Sequence, residues 1–314
     1  MSTISKKPLY EERRVLRVLE KQWVRGERLI NRAGDSRYNP FYHLGTLGIF
    51  LLIVLTVTGI YLTVFYRPGA DRAFETVSAL SATGIGALMR SVHRYASDAL
   101  AFVIFLHAVK MFFHDRFWGN RWVAWLTGWV MLVNIAIIGV MGYWLVWDER
   151  AQWLTEYFIA KVGGALASSF LNPTIVSATF PFFVIVLFLH VFVPILLVLG
   201  LLLHLLRLER SRLWSPRWLM VSATVLLLAI SIWRPATSAA AADLNRQVGT
   251  VPLDGWYLGF LPLVERWGSL LFWGLLAAVL GVLGVLPWIA RGRHVGPAVV
   301  GENFCAGCSL CIGE

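Results

Sequence analysis

Four of the seven histidines form a repeated pattern along the chain. His93 and His107 lie 14 residues apart, and His190 and His204 repeat that interval. In an α-helix, a step of 14 residues moves a side chain about 21 Å along the axis and returns it to within about 40° of the same face. Two such helices facing each other would present two stacked pairs of imidazoles.

A pair of imidazoles from opposite helices fits the axial sites of a six-coordinate haem, whose iron then serves electron transfer because no position is open for substrate. Each histidine could instead be a hydrogen-bonded polar residue between membrane helices. A metal-ion pathway would need carboxylates, and these two segments offer only Asp98. The matched spacing favours haem, and we expect His43, His114 and His294 not to be ligands.

Two glycine pairs repeat the same interval. Gly45 and Gly59 lie 14 residues apart, as do Gly128 and Gly142. Missing side chains leave room for a flat macrocycle, although small residues also serve ordinary close packing of membrane helices. The shared interval favours the haem interpretation.

The elements that position these residues must be membrane helices. Of 314 residues, 58% are hydrophobic and 15% are charged, which excludes an ordinary soluble enzyme and a disordered chain. Segments with few or no charges, each about long enough to cross a bilayer, predict an all-α membrane protein with six transmembrane helices, four of them forming a di-haem bundle. The predicted spans are 38–66, 91–113, 122–147, a segment within 162–206, 218–233 and 267–290.

The excess of positive charge predicts the orientation. The chain carries 28 Lys and Arg against 18 Asp and Glu, and alternate loops hold 19 and 8 of the basic residues. Basic residues concentrate on the cytoplasmic side, so we expect a multi-pass protein of a bacterial-type inner membrane with both termini in the cytoplasm. The cytoplasmic charge could also attract anionic lipid or an acidic redox protein.

Four parts follow from this topology. Residues 1–37 are predicted as a basic cytoplasmic head with an amphipathic helix within 10–30, and they have no apolar core of a signal peptide. Residues 38–208 form the predicted di-haem four-helix bundle, 209–290 a two-helix part, and 291–314 the start of an iron–sulfur segment.

The chain resembles cytochrome b of the bc-type quinol-oxidising complexes. That family has the same histidine spacing on its second and fourth helices and the same glycine pairs on its first and third. MRSVHRY at 89–95 is similar to the chloroplast-type sequence around the first ligand, and Pro194 also matches. GYWLVW at 142–147 resembles the family's GYxLPW, with Val146 replacing proline. The similarity is strong over 39–208 and weaker beyond.

The resemblance implies two haem b groups. His93 and His190 would hold one near the outer face, and His107 and His204 one near the inner face. Arg90 and Arg94 would contact haem propionates.

The second half keeps part of the family's outer quinol site. The family's PEWY motif, whose glutamate accepts a proton from quinol, corresponds to PLDGWYLGF at 252–260. Asp254 or Glu265 could replace the glutamate if its pKa were raised, and Tyr257 matches the motif's tyrosine. Asp254 and Tyr257 are therefore the candidate catalytic residues, although a Trp-Tyr pair also suits a membrane interface.

Three cysteines near the end follow the spacing CxxCxxC. Cys305, Cys308 and Cys311 match the opening of the bacterial ferredoxin run, which favours a [4Fe–4S] cluster, and zinc is the alternative. The fourth ligand would fall just beyond residue 314.

The resemblance implies an electron-transfer subunit of a quinol oxidoreductase complex. Its partners would be the membrane, quinone and other redox subunits, such as a Rieske-type protein, a c-type cytochrome or a dehydrogenase subunit, with a homodimer within the complex as a further expectation and no nucleic acid. One alternative is a di-haem anchor that connects a peripheral dehydrogenase or hydrogenase to the quinone pool without oxidising quinol at the outer face. Another is a transporter or channel in which the histidines relay protons.

Overall fold

A computed structural model describes residues 14–33, 35–161, 180–206, 208, 212–246, 248–249, 251 and 254–289. These residues contain ten α-helices and no β-strand, which confirms the predicted all-α class. The helices are α1 Arg14–Ala33, α2 Leu44–Phe65, α3 Ala73–Ser81, α4 Gly84–Phe113, α5 Trp122–Val146, α6 Glu149–Lys161, α7 Phe180–Leu206, α8 Arg217–Trp233, α9 Leu261–Trp267 and α10 Ser269–Ile289.

Five helices are long and apolar enough to cross a membrane: α2, α4, α5, α7 and α10. They correspond to five of the six predicted spans, and the chain is a multi-pass membrane protein. The remaining predicted span forms the shorter apolar helix α8, whose 17 residues reach the lower limit for crossing a bilayer. Helix α4 begins seven residues before the predicted span because Thr83 caps it, with Oγ1 accepting from the Gly86 amide at 3.1 Å.

The four central helices pack as two pairs. Helix α2 lies against α4 and α5 lies against α7, and these are the most extensive helix contacts in the described structure. The connection between the pairs runs chiefly through α4 and α5. We call the end of the bundle that carries α3 and α6 the outer end, and the opposite end, where α1 lies, the inner end.

Short helices α3, α6 and α9 were not predicted. At the start of α6, the buried Asp148 carboxylate accepts hydrogen bonds from the amides of Arg150 and Ala151, while Ala239 donates to its other oxygen. Asp148 therefore caps α6 and ties it to the segment after α8.

Helix α1 overlaps the segment predicted to hold an amphipathic helix and lies against the inner end of α4. Its Trp23 ring contacts Phe41 and Phe113. Its Glu27 carboxylate accepts a hydrogen bond from Lys110 Nζ at 2.7 Å, in an ion pair whose side chains are only 9% and 14% exposed. The face of α1 that packs on the bundle thus includes a buried charge with a dedicated partner.

Candidate functional site

The outer histidines face each other across the gap between the helix pairs. The ring centres of His93 on α4 and His190 on α7 lie 6.4 Å apart. Two imidazoles on one metal need about 2 Å for each metal–nitrogen bond and about 1.1 Å from each nitrogen to its ring centre, or about 6.2 Å in total. The separation therefore suits one iron between the two rings.

Threonine residues orient two of the four imidazoles. Oγ1 of Thr58 lies 2.9 Å from Nδ1 of His93 and 2.8 Å from the carbonyl oxygen of Val54. Because the single hydroxyl hydrogen is directed to the carbonyl, Oγ1 accepts from Nδ1 of the imidazole. The other ring nitrogen, Nε2, then keeps the lone pair that a metal requires.

The inner end repeats this arrangement on the other helix pair. Oγ1 of Thr127 donates to the Val123 carbonyl at 2.8 Å and lies 3.3 Å from Nδ1 of His204. His107, the predicted partner of His204, lies against Gly45 on the other helix pair. Each haem position predicted from the resemblance thus has one threonine-oriented ligand.

Every glycine of the two pairs lies against one of the four histidines. A Cβ atom added to Gly45, Gly59 or Gly128 would lie 3.2 Å from Cε1 of His107, His93 or His204, and one on Gly142 would lie 3.5 Å from Cε1 of His190. The first three distances are tighter than ordinary van der Waals contact. These glycines let the backbone of the neighbouring helix approach the edge of the imidazole. They therefore contact the predicted ligands themselves, whereas the predicted role was to leave space for a macrocycle.

A substitution at Gly128 tests this contact. We expect Gly128→Val to displace the His204 ring and to lower the haem content from two towards one per chain, because the valine methyl groups would overlap the imidazole. Pyridine haemochrome quantitation of purified protein measures the change. Gly274→Val on α10 is the control, since nothing lies within 4 Å of that position, and equal haem loss in both variants would contradict the contact argument.

An open apolar groove of about 320 Å³ lies between α2 and α7, on the face of α7 that points away from His190. Its walls are Thr63 of α2 and six apolar residues of α7: Val184, Leu187, Phe188, Val191, Phe192 and Ile195. The described residues contain no cluster of three or more His, Cys, Asp or Glu side chains that could hold a bare metal ion. The feature that fits haem is the separation of the paired histidines, which suits one iron between them.

Pro194 lies inside α7, one turn after His190. Proline has no amide hydrogen, so the carbonyl of His190 lacks its usual donor four residues on. Such a gap bends a helix, and here it lies one turn after a predicted haem ligand.

The two arginines beside the outer histidines contact other groups. Arg90 donates to Oγ of Ser81 at 2.7 Å and to Oγ of Ser238 at 2.8 Å. Arg94 donates to Asp98 at 2.5 Å and also to Asp254. Adjacent helix positions differ by about 100°, so Arg94 points away from the face that carries His93. A role of either arginine in binding propionates stays a prediction.

Asp254 is the centre of a polar network between α4, α5 and the segment before α9. Its side chain is 11% exposed and accepts hydrogen bonds from Arg94 and from the Tyr143 hydroxyl. The backbone amide of Trp256 donates to its other oxygen at 2.6 Å. Glu265, the alternative proton acceptor, lies exposed on α9. The structure therefore places Asp254, rather than Glu265, among buried polar groups.

Tyr257 lies beside this network. Its hydroxyl donates to the Ser97 carbonyl at 3.0 Å and lies 2.8 Å from Ser97 Oγ. Burial raises the pKa of Tyr257 to about 12, so the hydroxyl stays protonated at neutral pH. Asp254 and Tyr257, predicted as one site, thus meet the same turn of α4.

Other predicted site residues lie elsewhere or outside the described structure. His43 precedes α2 and packs near Trp218, and Nδ1 of His114 lies 2.8 Å from the Lys110 carbonyl, so neither joins the quartet. Cys305, Cys308 and Cys311 lie outside the described residues, as does His294. The iron–sulfur assignment stays a prediction.

Thr58, Thr127 and Tyr143 were not among the predicted site residues. Thr58 and Thr127 each immediately precede a patterned glycine, and this repeated Thr-Gly dipeptide was the available signal. No sequence pattern indicates that Tyr143 contacts Asp254, which lies 111 positions later.

Two comparisons with known proteins agree with this architecture. A family model described as Cytochrome b/b6/petB matches residues 29–212. A solved structure titled "Hyperthermophilic respiratory Complex III" is similar to 79% of this chain and 75% of its own, with a TM-score of 0.62 and 17% identity. The structural likeness concerns the fold alone, and the family match covers more than half of the chain.

Proposed function

The chain belongs to the cytochrome b/b6/petB family, and from this premise we propose that it carries electrons across the membrane through two b-type haems within a quinol-oxidising or quinone-reducing complex. His93 and His190 would bind the outer haem, and His107 and His204 the inner haem. The haems would supply one-electron chemistry, while the protein fixes the ligands and surrounds them with apolar side chains.

The observation that supports this proposal most directly is the 6.4 Å separation of the His93 and His190 rings. It coincides with a threonine hydroxyl that accepts from Nδ1 of His93, which leaves Nε2 of that ring available to a metal. A proton-relaying transporter would not require this separation, and a bound quinone would not require paired imidazoles.

Haem quantitation tests the proposal. We expect the purified protein to give a b-type reduced-minus-oxidised spectrum and two haems per chain by pyridine haemochrome assay. A protein without haem would exclude electron transfer by this route and would favour the transporter interpretation.

We propose further that quinol is oxidised at the outer end and that Asp254 accepts one of its protons. The support is that this carboxylate lies among Arg94, Tyr143 and Tyr257, one turn from the outer haem ligand. Arg94 stabilises the charged carboxylate, and Tyr143 would hold it in position as the proton arrives.

Replacement of Asp254 tests this role. We expect Asp254→Asn to slow the reduction of the haems by quinol at least about tenfold. A positioned general acid or base typically contributes about 10²- to 10⁴-fold to a rate, so a tenfold loss is a conservative lower limit. Anaerobic stopped-flow absorbance of the haem bands measures the rate, and haem content should stay at two per chain. Glu265→Gln is the control and should stay near the wild-type rate.

An unchanged rate in Asp254→Asn would exclude Asp254 as a required acceptor. It would favour a di-haem membrane anchor without outer quinol oxidation. One observation already supports this second candidate: the Asp254 carboxylate is occupied by Arg94 and Tyr143 and has few free acceptor positions for a substrate.

A further inference from the structure

The proposed haem ligands differ in what holds their Nδ1 atoms. A threonine Oγ1 lies 2.9 Å from Nδ1 of His93, and another lies 3.3 Å from Nδ1 of His204. Nδ1 of His190 is buried and makes no hydrogen bond within the part of the chain that the structure describes. Backbone carbonyls of the neighbouring helix lie near all three rings, so the group that His190 lacks is the hydroxyl.

The sequence explains this difference through the residue before each patterned glycine. Beside His93 and beside His204, that residue is a threonine. Gly142, which meets His190, follows Met141 instead, and a thioether sulfur is at most a weak acceptor. Leu44 takes the same place beside the fourth ligand. Each proposed haem therefore has one ligand with a threonine hydroxyl and one ligand without it.

Two further features distinguish His190 from His107, the other ligand without a threonine. Pro194 leaves the His190 carbonyl without its helical donor, so the turn of α7 that follows this ligand deforms more easily. Helix α4, which carries His107, contains no proline. A Cβ atom on Gly142 would lie 3.5 Å from the His190 ring, which is ordinary van der Waals contact, whereas the other three glycines give a tighter 3.2 Å. His190 is thus the least restrained of the four rings.

This lack of restraint weakens the bond that the ring can make to a metal. An acceptor at Nδ1 fixes the orientation of an imidazole and makes its other nitrogen a stronger ligand. A buried N–H group without an acceptor also lacks the hydrogen bond that it would make in water, which favours movement of the ring out of its position. Of the two axial bonds of the outer haem, the bond to His190 should therefore be the weaker one.

We propose that the outer haem opens on the side of α7, where a small neutral ligand of ferrous iron, such as carbon monoxide or nitric oxide, replaces His190 while His93 stays bound. The bond between iron and Nε2 of His190 breaks and one bond to the incoming ligand forms, without transfer of an electron or a proton. The proposal rests on the proposed haem pairing and adds a binding site that a permanently six-coordinate haem would not have.

Carbon monoxide is the probe for this site. The full-length, haem-loaded protein is reduced in detergent and titrated with carbon monoxide, and the absorbance of the haem bands measures binding. We expect one of the two haems to bind. Met141→Thr, which places a hydroxyl beside His190, should raise the half-saturating concentration at least about tenfold, because a hydrogen-bond partner behind a metal ligand typically changes metal affinity about 10- to 100-fold.

Met141→Val is the matched control, because valine has the shape of threonine and no hydroxyl, and it should bind carbon monoxide like the wild type. Leu44→Thr places a hydroxyl beside His107 and should leave binding unchanged. Thr58→Val removes the hydroxyl from the His93 ring and should lower the half-saturating concentration, since it weakens the other bond of the same haem. Pyridine haemochrome quantitation should give two haems per chain in every variant.

The possible failures are distinguishable. A protein with two haems that binds no carbon monoxide would overturn this proposal and leave the proposed electron transfer standing, whereas a protein without haem would overturn both. Equal binding by Met141→Thr and Met141→Val would show that the hydroxyl is irrelevant. Weaker binding in Leu44→Thr alone would identify His107 as the ligand that leaves. If Met141→Thr loses its haem, unchanged binding in Thr58→Val contradicts the proposal instead.

Discussion

Replacing His107 with alanine is expected to lower the haem content from two to one per chain. A six-coordinate haem depends on both axial imidazoles. The other proposed ligand, His204, belongs with Thr127 to the α5–α7 pair and would not replace the lost bond from α4. With one ligand gone, the inner haem would keep a single protein bond, while His93 and His190 would retain the outer haem. Pyridine haemochrome quantitation of the purified variant measures the loss.

His114→Ala is the matched control, because His114 lies seven residues further along the same helix end and points its Nδ1 at a backbone carbonyl. We expect it to keep both haems. If His107→Ala retains two haems, His107 is not a haem ligand and the proposed pairing with His204 is wrong. If both variants lose haem, the loss reflects disturbed folding at this end of α4 and not the loss of a ligand.

The second large effect is expected at the ion pair between α1 and α4. Lys110→Met leaves the Glu27 carboxylate buried without its cation, and breaking such a pair typically costs about 3–5 kcal/mol. The variant should unfold at a markedly lower temperature. Thermal unfolding in detergent, followed by circular dichroism, measures the shift.

Two controls separate the buried charge from other causes. Glu27→Gln together with Lys110→Met should recover most of the loss, because the substituted side chain is neutral and its amide oxygen can still accept from Trp23. Lys161→Met removes an exposed lysine at the end of α6 and should change stability by less than about 0.5 kcal/mol. Equal unfolding temperatures for Lys110→Met and Lys161→Met would show that the Glu27–Lys110 ion pair does not contribute to stability.

The histidine quartet and the glycine pairs could be found from sequence because both follow from helix periodicity. A repeated interval of 14 residues on apolar segments places two side chains about 21 Å apart along a helix and on the same face of it. Each glycine then meets one histidine as soon as the helices that carry them pack together. The packing of α2 against α4 and of α5 against α7 was not predicted and was given by the structure.

The polar network around Asp254 could not be predicted in the same way. Arg94 and Asp254 are 160 residues apart, and their contact depends on how the segment before α9 packs on α4. The same holds for Lys110 and Glu27, 83 residues apart, because α1 could have left the bundle in any direction. Local periodicity specifies faces of helices, but the direction of loops depends on contacts that form only in the folded chain.

The division of the central helices into two pairs also bears on how the protein is made in the cell. During synthesis, the α2–α4 pair is complete by residue 113, well before α7 emerges to join α5. Each pair contributes half of every proposed ligand set, so a haem can acquire its second bond only after both pairs are in the membrane. Haem insertion would then be the late step that joins two preformed hairpins, and cells starved of haem should contain less of this protein, because proteases would degrade the unjoined hairpins.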